Sequence, residues 1–210
     1  MDKYFDRYND SLDEIVSNCE EFSKIVPVSK LSFEYNIGSK FKETGHEKDW
    51  LVHSKYYRNM AAFCKLYRIK NVLEIGTQTG AGALVLAEYT DRVVTVDMSL
   101  RNIAPSLYRH PRIEFRKVPG DEDCLNFVDF SKFDLIFIDI DHSGNVELKL
   151  HRKLFCEYEG FVFWDDINFS EGMRFFWNNL VKDFNSINSD INNYKSVDWH
   201  YQLGFGITRY

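Results

Sequence analysis

Apolar residues recur along this chain in five short clusters, each followed by a turn signal or a helical pattern. Short apolar clusters bounded by turns are typical of strands that are buried on both faces of a parallel sheet. The segments between the clusters are long enough for helices, so the pattern predicts alternating strands and helices. The five predicted strands are Val72–Ile75, Arg92–Asp97, Ile113–Lys117, Phe133–Asp141 and Phe161–Trp164.

Helices and an edge hairpin are predicted around these strands. The predicted helices that follow strands are Ala81–Tyr89, Ser99–Tyr108, Val146–Glu157 and Gly172–Phe184. Ser196–Gln202 and Gly204–Arg209 are predicted to close the sheet as two strands with an antiparallel edge. We therefore expect one α/β domain over residues 1–210, a doubly wound, Rossmann-like mixed sheet of seven strands with helices on both faces.

The loop after the first strand is rich in glycine, which indicates a nucleotide-type site. Its glycines, Gly76, Gly80 and Gly82, lie four and then two residues apart, whereas a dinucleotide site would space them two and then three apart. Glu74 lies two residues before the first glycine, and a carboxylate there repels phosphate but suits a sulfonium group. We expect a site for S-adenosylmethionine (SAM); the alternative is an ordinary turn between a strand and a helix.

Acids near the ends of the second and third strands extend this predicted site. Asp97 is expected to accept hydrogen bonds from the two ribose hydroxyls of the cofactor. Asp121, directly after a glycine, is expected to accept one from the adenine amino group, with a solvated acidic turn as the alternative. The full set of predicted cofactor contacts is Glu74, Gly76, Thr77, Gly80, Asp97, Met98, Gly120, Asp121 and Asp139.

Three further acids follow the fourth and fifth strands: Asp139, Asp165 and Asp166. The carboxyl ends of parallel strands meet at one edge of the sheet, and three carboxylates buried there repel each other unless a cation lies among them. Oxygen ligands at this density suit Mg²⁺ better than Ca²⁺, because open positions are needed for substrate. Capping of the following helices is the alternative for single acids. His142 would take the proton from a hydroxyl at this cation, unless it is a capping or surface histidine.

The segments EIGTQTG, VTVD, FDLIFIDIDH and FVFWDD resemble those of the class I SAM-dependent methyltransferases. The likeness is to the metal-dependent O-methyltransferases, which include catechol and caffeoyl-CoA enzymes and macrolide-sugar relatives, and it covers Lys70 to the C-terminus. It implies the strand order 3-2-1-4-5-7-6 and a metal held by Asp139, Asp165 and Asp166. His142 and the second acid of the pair depart from the catechol pattern and match the sugar-modifying relatives.

The N-terminal part of the chain matches no motif but carries helix signals. Ser11–Glu14 has the spacing of a capping box and predicts a helix to about Lys24. We expect residues 1–50 to form a helical lid over the cofactor mouth that shapes the substrate pocket, with residues 70–210 as the SAM-binding core. The alternative is a helix that only covers the sheet.

Composition narrows the class of protein. A net charge of −6 without a basic cluster argues against a nucleic-acid partner. No apolar run reaches the ~18 residues of a membrane span, and the chain does not open on a signal peptide. The 4 cysteines lack CxxC spacing, which suggests reduced thiols and a cytoplasmic location. Aromatic residues make up 16% of the chain, and those near the N-terminus permit a homodimer.

These observations together predict an enzyme, a Mg²⁺-dependent O-methyltransferase that uses SAM. We expect Asp139 and His142 at the reacting hydroxyl, which belongs to a sugar or glycoside acceptor. A catechol or hydroxycinnamoyl-type phenol is the alternative acceptor. A protein that binds SAM without turnover is the alternative from another class, and a nicotinamide oxidoreductase is disfavoured by the glycine spacing.

Overall fold

The protein is built on one mixed β-sheet whose first five strands run parallel. The computed structural model describes residues 9–26, 54–120, 123, 126, 128–187, 193–200 and 203–210. Within these ranges the strands are β1 (Asn71–Ile75), β2 (Arg92–Asp97), β3 (Ile113–Lys117), β4 (Leu135–Ile138), β5 (Phe161–Asp165), β6 (Tyr194–Val197) and β7 (Phe205–Arg209). The helices are α1 (Leu12–Ser23), α2 (Ser54–Leu66), α3 (Ala81–Tyr89), α4 (Asn145–Glu157) and α5 (Glu171–Ile187), with 3₁₀ turns at Leu107–Arg109 and Phe130–Lys132.

The order of the strands in the sheet is β3-β2-β1-β4-β5-β7-β6, which confirms the predicted order. β1 pairs in parallel with both β2 and β4, while β7 runs antiparallel to β5 and β6. The winding of the chain therefore reverses between β1 and β4, and the carboxyl ends of these two strands are where such sheets bind ligands. Because β7 runs the other way, its amino end lies at this same edge.

A hydrophobic core lies on each face of the sheet, because successive residues of a strand point to opposite faces. On one face α2 packs Phe63 against Phe161 and Phe163, with ring centroids 5.0 and 4.9 Å apart. On the other face Trp164 packs against Phe176 of α5, with centroids 4.8 Å apart. Helices thus cover both faces, as predicted. Among the described helices, none has the length and apolarity to cross a membrane.

The described part of the N-terminal segment is a helix that begins at the predicted capping box. The Ser11 backbone N–H donates to the Glu14 carboxylate at 2.8 Å, and the Ser11 hydroxyl caps the helix in return. α1 packs on α2, where Asn18 donates to the Tyr67 hydroxyl at 3.3 Å. α1 therefore covers one face of the sheet. The rest of the predicted lid, residues 1–8 and 27–50, lies outside the described residues.

The predicted helix Ser99–Tyr108 is wrong. This stretch consists of bends and turns until the short 3₁₀ turn that begins at Leu107. The Ser99 backbone N–H donates to the Asp97 carboxylate at 2.7 Å, and the Tyr108 hydroxyl donates to the Leu100 carbonyl at 2.8 Å. These two bonds hold the chain in a loop, so that a continuous helix does not form.

The predicted strand Ser196–Gln202 begins earlier and ends sooner than expected. β6 ends at Val197, and the next three residues form a turn. The Trp199 indole N–H donates to the Glu20 carboxylate of α1 at 3.2 Å, which draws the chain away from the sheet. This turn lies on the path from β6 to β7, at the edge of the sheet that carries the predicted site.

Candidate cofactor and metal site

The glycine loop (residues 76–80) connects β1 to α3 at the carboxyl edge of the sheet. Gly76 has a φ of 102°, and a Cβ atom there would overlap the carbonyl oxygen of Asp139. The Gly76 N–H donates to the Val96 carbonyl at 2.9 Å, and the Asp139 N–H donates to the Ile75 carbonyl at 2.8 Å. Only glycine fits at position 76, and this close approach fixes the end of β4 against the loop.

Glu74 lies beneath the glycine loop and is 1% exposed. Thr95 donates to its carboxyl group at 2.5 Å, and the Thr95 hydroxyl is 2.6 Å from that of Thr77. A Cβ on Gly82 would overlap the same carboxyl group, so this glycine makes room for the acid. The side chains of Glu74 and Thr77 therefore hold the loop from below.

Burial raises the pKa of Glu74 well above its ordinary value, in spite of the hydrogen bond from Thr95. A raised pKa means that burial disfavours the charged form of this carboxyl group. The charge that the sequence argument assigned to Glu74 is therefore a weak reason to prefer a sulfonium cofactor. The shape of the glycine loop, which depends on this buried acid, is a stronger reason to prefer that cofactor.

Asp97, at the end of β2, lies against the start of the loop. Its Oδ2 atom accepts from the N–H groups of Thr77 and Gln78 at 2.8 and 3.0 Å, and Oδ1 accepts from Ser99 at 2.7 Å. A carboxylate offers about four lone pairs, so this one has room for about one further donor. The backbone thus orients Asp97, and its remaining capacity suits one hydroxyl better than the predicted two.

Of four further predicted cofactor contacts, the structure describes three. Gly80 has a φ of 82° and is the N-cap of α3. The Met98 side chain is exposed beside Asp97, and Gly120 is partly buried beyond the end of β3. Asp121 lies outside the described residues. Gly80 and Met98 thus belong to the same end of the sheet as the loop.

The three predicted metal acids come together with two histidines. His142 Nε2 is 3.2 Å from Asp139 Oδ1 and 3.7 Å from Asp166 Oδ2. His200 Nδ1 is 2.8 Å from Asp165 Oδ1 and 2.7 Å from Asp166 Oδ1. Two sets of potential ligand atoms each lie within 4.8 Å of one another, namely Asp139 with His142 and Asp165, and Asp165 with Asp166 and His200. We call these five residues the acid–histidine cluster.

Burial and like charge dominate the electrostatics of the acid–histidine cluster. Burial, followed by the charge of Asp139, raises the pKa of Asp165. Burial alone would lower the pKa of His142, but Asp139 and its neighbours outweigh it and raise that pKa to about 9. The pKa of His200 is raised in the same way by the two carboxylates beside it. In the absence of a cation, the three carboxyl groups thus favour the protonated form of both imidazoles.

The backbone at two of these residues is left-handed. His142 has a φ of 57° and Asp166 a φ of 53°, a conformation that costs residues other than glycine free energy of the order of 1 kcal/mol or more. Glu147 accepts from the His142 N–H at 3.0 Å, and the Ser170 hydroxyl donates to the His142 carbonyl at 2.7 Å. Phe169 N–H donates to the Asp166 carbonyl at 2.9 Å. The loops after β4 and β5 therefore brace each other.

Two residues of the site were missed by the sequence analysis. His200 precedes β7, and an antiparallel last strand begins where the parallel strands end, so its place was open to inference from the topology. Phe169 is 56% exposed, and its ring centroid is 5.4 Å from that of His142. No motif marks Phe169, because a single aromatic residue in a loop carries no pattern.

Comparisons with known proteins bear on the fold. The sequence matches no protein-family model and no curated protein. Among solved structures, the O-methyltransferase TomG from Streptomyces achromogenes, involved in tomaymycin synthesis and in complex with SAM, is 18% identical. The match covers 94% of this chain and 97% of that chain, with a TM-score of 0.61.

Two other solved structures have a similar fold. The methyltransferase PaMTH1 from Podospora anserina, bound to S-adenosylhomocysteine (SAH), is 17% identical over 98% of this chain and 97% of that chain, with a TM-score of 0.56. An O-methyltransferase from Bacillus cereus in complex with SAH is 18% identical over 83% of this chain and 91% of that chain, with a TM-score of 0.55. The fold of this protein is that of the class I SAM-dependent O-methyltransferases.

Proposed function

We propose that the protein is an O-methyltransferase that transfers the methyl group of SAM to a hydroxyl of a sugar or glycoside, with the help of a divalent cation. The observation that carries the proposal is the contact between the glycine loop and the acid–histidine cluster. Gly76 of the glycine loop lies directly against the backbone of Asp139, the first acid of the acid–histidine cluster. A cofactor held by the loop would therefore present its sulfonium methyl near the cluster.

Cofactor binding is supported by the loop and by Asp97. The carboxylate of Asp97 is fixed by three backbone N–H groups and has room for a ribose hydroxyl. Met98 offers an exposed apolar surface beside it, which suits one face of an adenine ring. Glu74 and Thr77 would act indirectly, by holding the loop in shape from below.

The acids of the cluster suit a divalent cation. Asp166 Oδ1 is buried and makes no hydrogen bond with a described residue, although it forms an ion pair with His200 Nδ1 at 2.7 Å. Three buried carboxyl groups this close together repel each other unless a cation lies among them. Asp139, Asp165 and Asp166 would hold the cation, which the sequence analysis expected to be Mg²⁺. When bound, such a cation supplies positive charge that lowers the pKa of a nearby hydroxyl.

His142 is the proposed base. Its side chain is 22% exposed, so one side of the ring is open to an acceptor, while Nε2 faces Asp139 and Asp166. A cation among the acids would offset the carboxylate charges that raise the pKa of His142, so that the imidazole would be neutral and able to act as a base. As the C–O bond forms and the C–S bond of SAM breaks, the hydroxyl proton passes to this neutral imidazole, and SAH leaves. Asp139 orients the imidazole and offsets the charge that it gains.

Phe169 is proposed to contact the acceptor. Its exposed ring lies next to His142, where it would stack on the apolar face of a sugar. The sugar is preferred because His142 and Asp166 lie where the resemblance implies other residues in the catechol-type enzymes. The same ring would stack on a phenol, which keeps a phenolic acceptor as the second candidate.

Acceptor screening with labelled SAM tests this function. We expect label in one or more members of a glycoside panel, loss of transfer with EDTA, and recovery when a divalent cation is restored. Labelling of phenols alone would replace the sugar with the second candidate. Transfer that is indifferent to chelation would contradict the role of the cation, and tight binding of NAD in place of SAM would contradict the cofactor.

A further inference from the structure

His200 lies inside the acid–histidine cluster, although it is remote from the other four members in the sequence. Its side chain is 6% exposed, and the Tyr56 ring stacks on the imidazole with centroids 5.2 Å apart. Nδ1 approaches two carboxylates at once, at 2.8 Å from Asp165 and 2.7 Å from Asp166. The imidazole is therefore held in place with one nitrogen aimed at the acids.

The contacts of Nδ1 with the two acids are not alike. Nδ1 and Asp165 Oδ1 form a hydrogen bond. Asp166 Oδ1 is nearer still, yet its orientation gives no hydrogen bond with Nδ1 or with any other described group. Without a cation, Nδ1 carries a proton that lies between the two carboxylates. A cation bound among Asp165, Asp166 and His200 would take the place of that proton.

The spacing agrees with shared ligation. Two ligand atoms that are about 2.1 Å from a metal and at right angles lie about 3.0 Å apart. The distances from Nδ1 to the two oxygens, 2.8 and 2.7 Å, are within a few tenths of an ångström of that value. Small rotations of the carboxylates would complete the geometry.

His142 and His200 differ in exposure, as a base that meets the acceptor and a buried metal ligand should. The side chain of His142 is 22% exposed and lies beside the exposed Phe169, so an acceptor can reach it. The side chain of His200 is 6% exposed and is covered by Tyr56, so an acceptor cannot. His142 is thus placed to act as a base, and His200 to act as a ligand.

We infer that His200 is a nitrogen ligand of the cation, and that the site prefers a first-row transition ion such as Mn²⁺, Co²⁺ or Zn²⁺ to Mg²⁺. Imidazole suits these ions, whereas Mg²⁺ takes oxygen ligands almost exclusively. The inference rests on the cation site of the proposed function and is independent of the acceptor. It replaces the expectation of Mg²⁺, which was drawn from acids alone.

Metal titrations of chelator-treated protein test the inference. MgCl₂, MnCl₂ and CoCl₂ are titrated by calorimetry into the wild type, His200→Ala and the control His110→Ala, which lies outside the cluster. We expect Co²⁺ to bind the wild type and the control much more tightly than Mg²⁺. We expect His200→Ala to weaken Co²⁺ binding about 10- to 100-fold and Mg²⁺ binding much less. A Co²⁺ to Mg²⁺ affinity ratio that is unchanged in His200→Ala would overturn the inference.

Pulsed EPR of Mn²⁺-loaded protein gives a second readout that does not depend on the stability of His200→Ala. In His142→Ala the remaining histidine of the cluster is His200, so ¹⁴N coupling to Mn²⁺ is expected there. Absence of that coupling overturns the inference. Methyl transfer is assayed separately, in the wild type. Transfer by the wild type without ¹⁴N coupling in His142→Ala leaves the proposed function standing and removes His200 as a ligand. Coupling without any transfer by the wild type keeps His200 as a ligand and contradicts the proposed function.

Discussion

The glycine loop and the acid–histidine cluster meet at the ends of β1 and β4, but they satisfy their polar groups in different ways. Beneath the loop, Glu74, Thr95 and Thr77 form a chain of short hydrogen bonds, and Asp97 accepts from three backbone N–H groups. In the cluster, Asp166 Oδ1 has no hydrogen bond with a described residue, and carboxyl groups outnumber the imidazoles.

This difference separates what the chain stabilises by itself from what it leaves to a ligand. The loop is supported by bonds between its own residues and should keep its shape in the absence of ligand. The cluster combines like charges with left-handed backbone at His142 and Asp166. A bound cation should therefore stabilise the folded form of the cluster. The predictions below test each side of this contrast.

The largest expected effect is on turnover in His142→Ala. Loss of a positioned base lowers kcat by about 10²- to 10⁴-fold, while the affinity for SAM stays nearly the same because the loop is untouched. Steady-state kinetics and calorimetry with SAM measure the two quantities. His110→Ala, outside the cluster, should match the wild type in both. A wild-type kcat in His142→Ala would remove this residue as the base.

Gly76→Ala should affect both regions at once. The new methyl group would overlap the Asp139 carbonyl oxygen in a backbone conformation that alanine rarely adopts. We expect a loss of about 3 kcal/mol in the free energy of unfolding, measured with urea, together with loss of SAM binding. Gly120→Ala is the control for stability, since its φ is not positive and its new methyl would lie 3.2 Å from a flexible aspartate. Equal midpoints for the two variants would refute the close packing of β1 on β4.

Cation binding should stabilise the wild type but not a variant of the cluster. A cation at about 100 times its dissociation constant raises the free energy of unfolding by about 2.7 kcal/mol. Asp166→Asn removes one charged ligand and should lose most of this gain. Thermal unfolding with and without MnCl₂ measures it. The same increase in both proteins would place the bound cation elsewhere.

The smallest effect concerns the pH dependence of stability, through Glu74. Burial raises the pKa of its folded form, so between the unfolded and folded pKa values the folded state binds more protons than the unfolded state. The free energy of unfolding therefore falls as pH rises above about 4.3, by at most about 1.4 kcal/mol per pH unit from this group.

Glu74→Gln resembles the neutral acid in shape and should lack this loss. We expect the stability of the variant relative to the wild type to increase with pH between 5 and 8, as measured by urea unfolding at several pH values. A constant difference would mean that Glu74 titrates with an ordinary pKa in the folded protein. A difference that shrinks with pH would contradict the sign of the shift.

Much of the sheet was predictable, because apolar clusters and turn residues are local signals. The order of the strands followed from the family likeness. The acids Asp139, Asp165 and Asp166 were predicted to meet because the carboxyl ends of parallel strands share an edge. The loop after β2 was wrongly predicted to be a helix, since its shape depends on two hydrogen bonds, from Ser99 to Asp97 and from Tyr108 to Leu100.

Other parts of the site depend on three-dimensional contacts that a pattern does not carry. Glu74 was expected to contact the cofactor from beside the loop. It lies under the loop, because Thr95 on a neighbouring strand and Gly82 on α3 make a pocket for the carboxyl group. His200 joins the cluster only because β7 is inserted between β5 and β6. Such long-range placement is decided by topology and not by neighbouring residues.

The position of β7 also has a consequence for biosynthesis. This strand is synthesised after the other six strands of the sheet, yet it occupies an inner place, between β5 and β6. Until Phe205–Arg209 has left the ribosome, β5 has no partner on that side and the turn that carries His200 has no fixed position. A nascent chain would thus form the glycine loop before the acid–histidine cluster, and the cluster would be completed only when β7 pairs with β5.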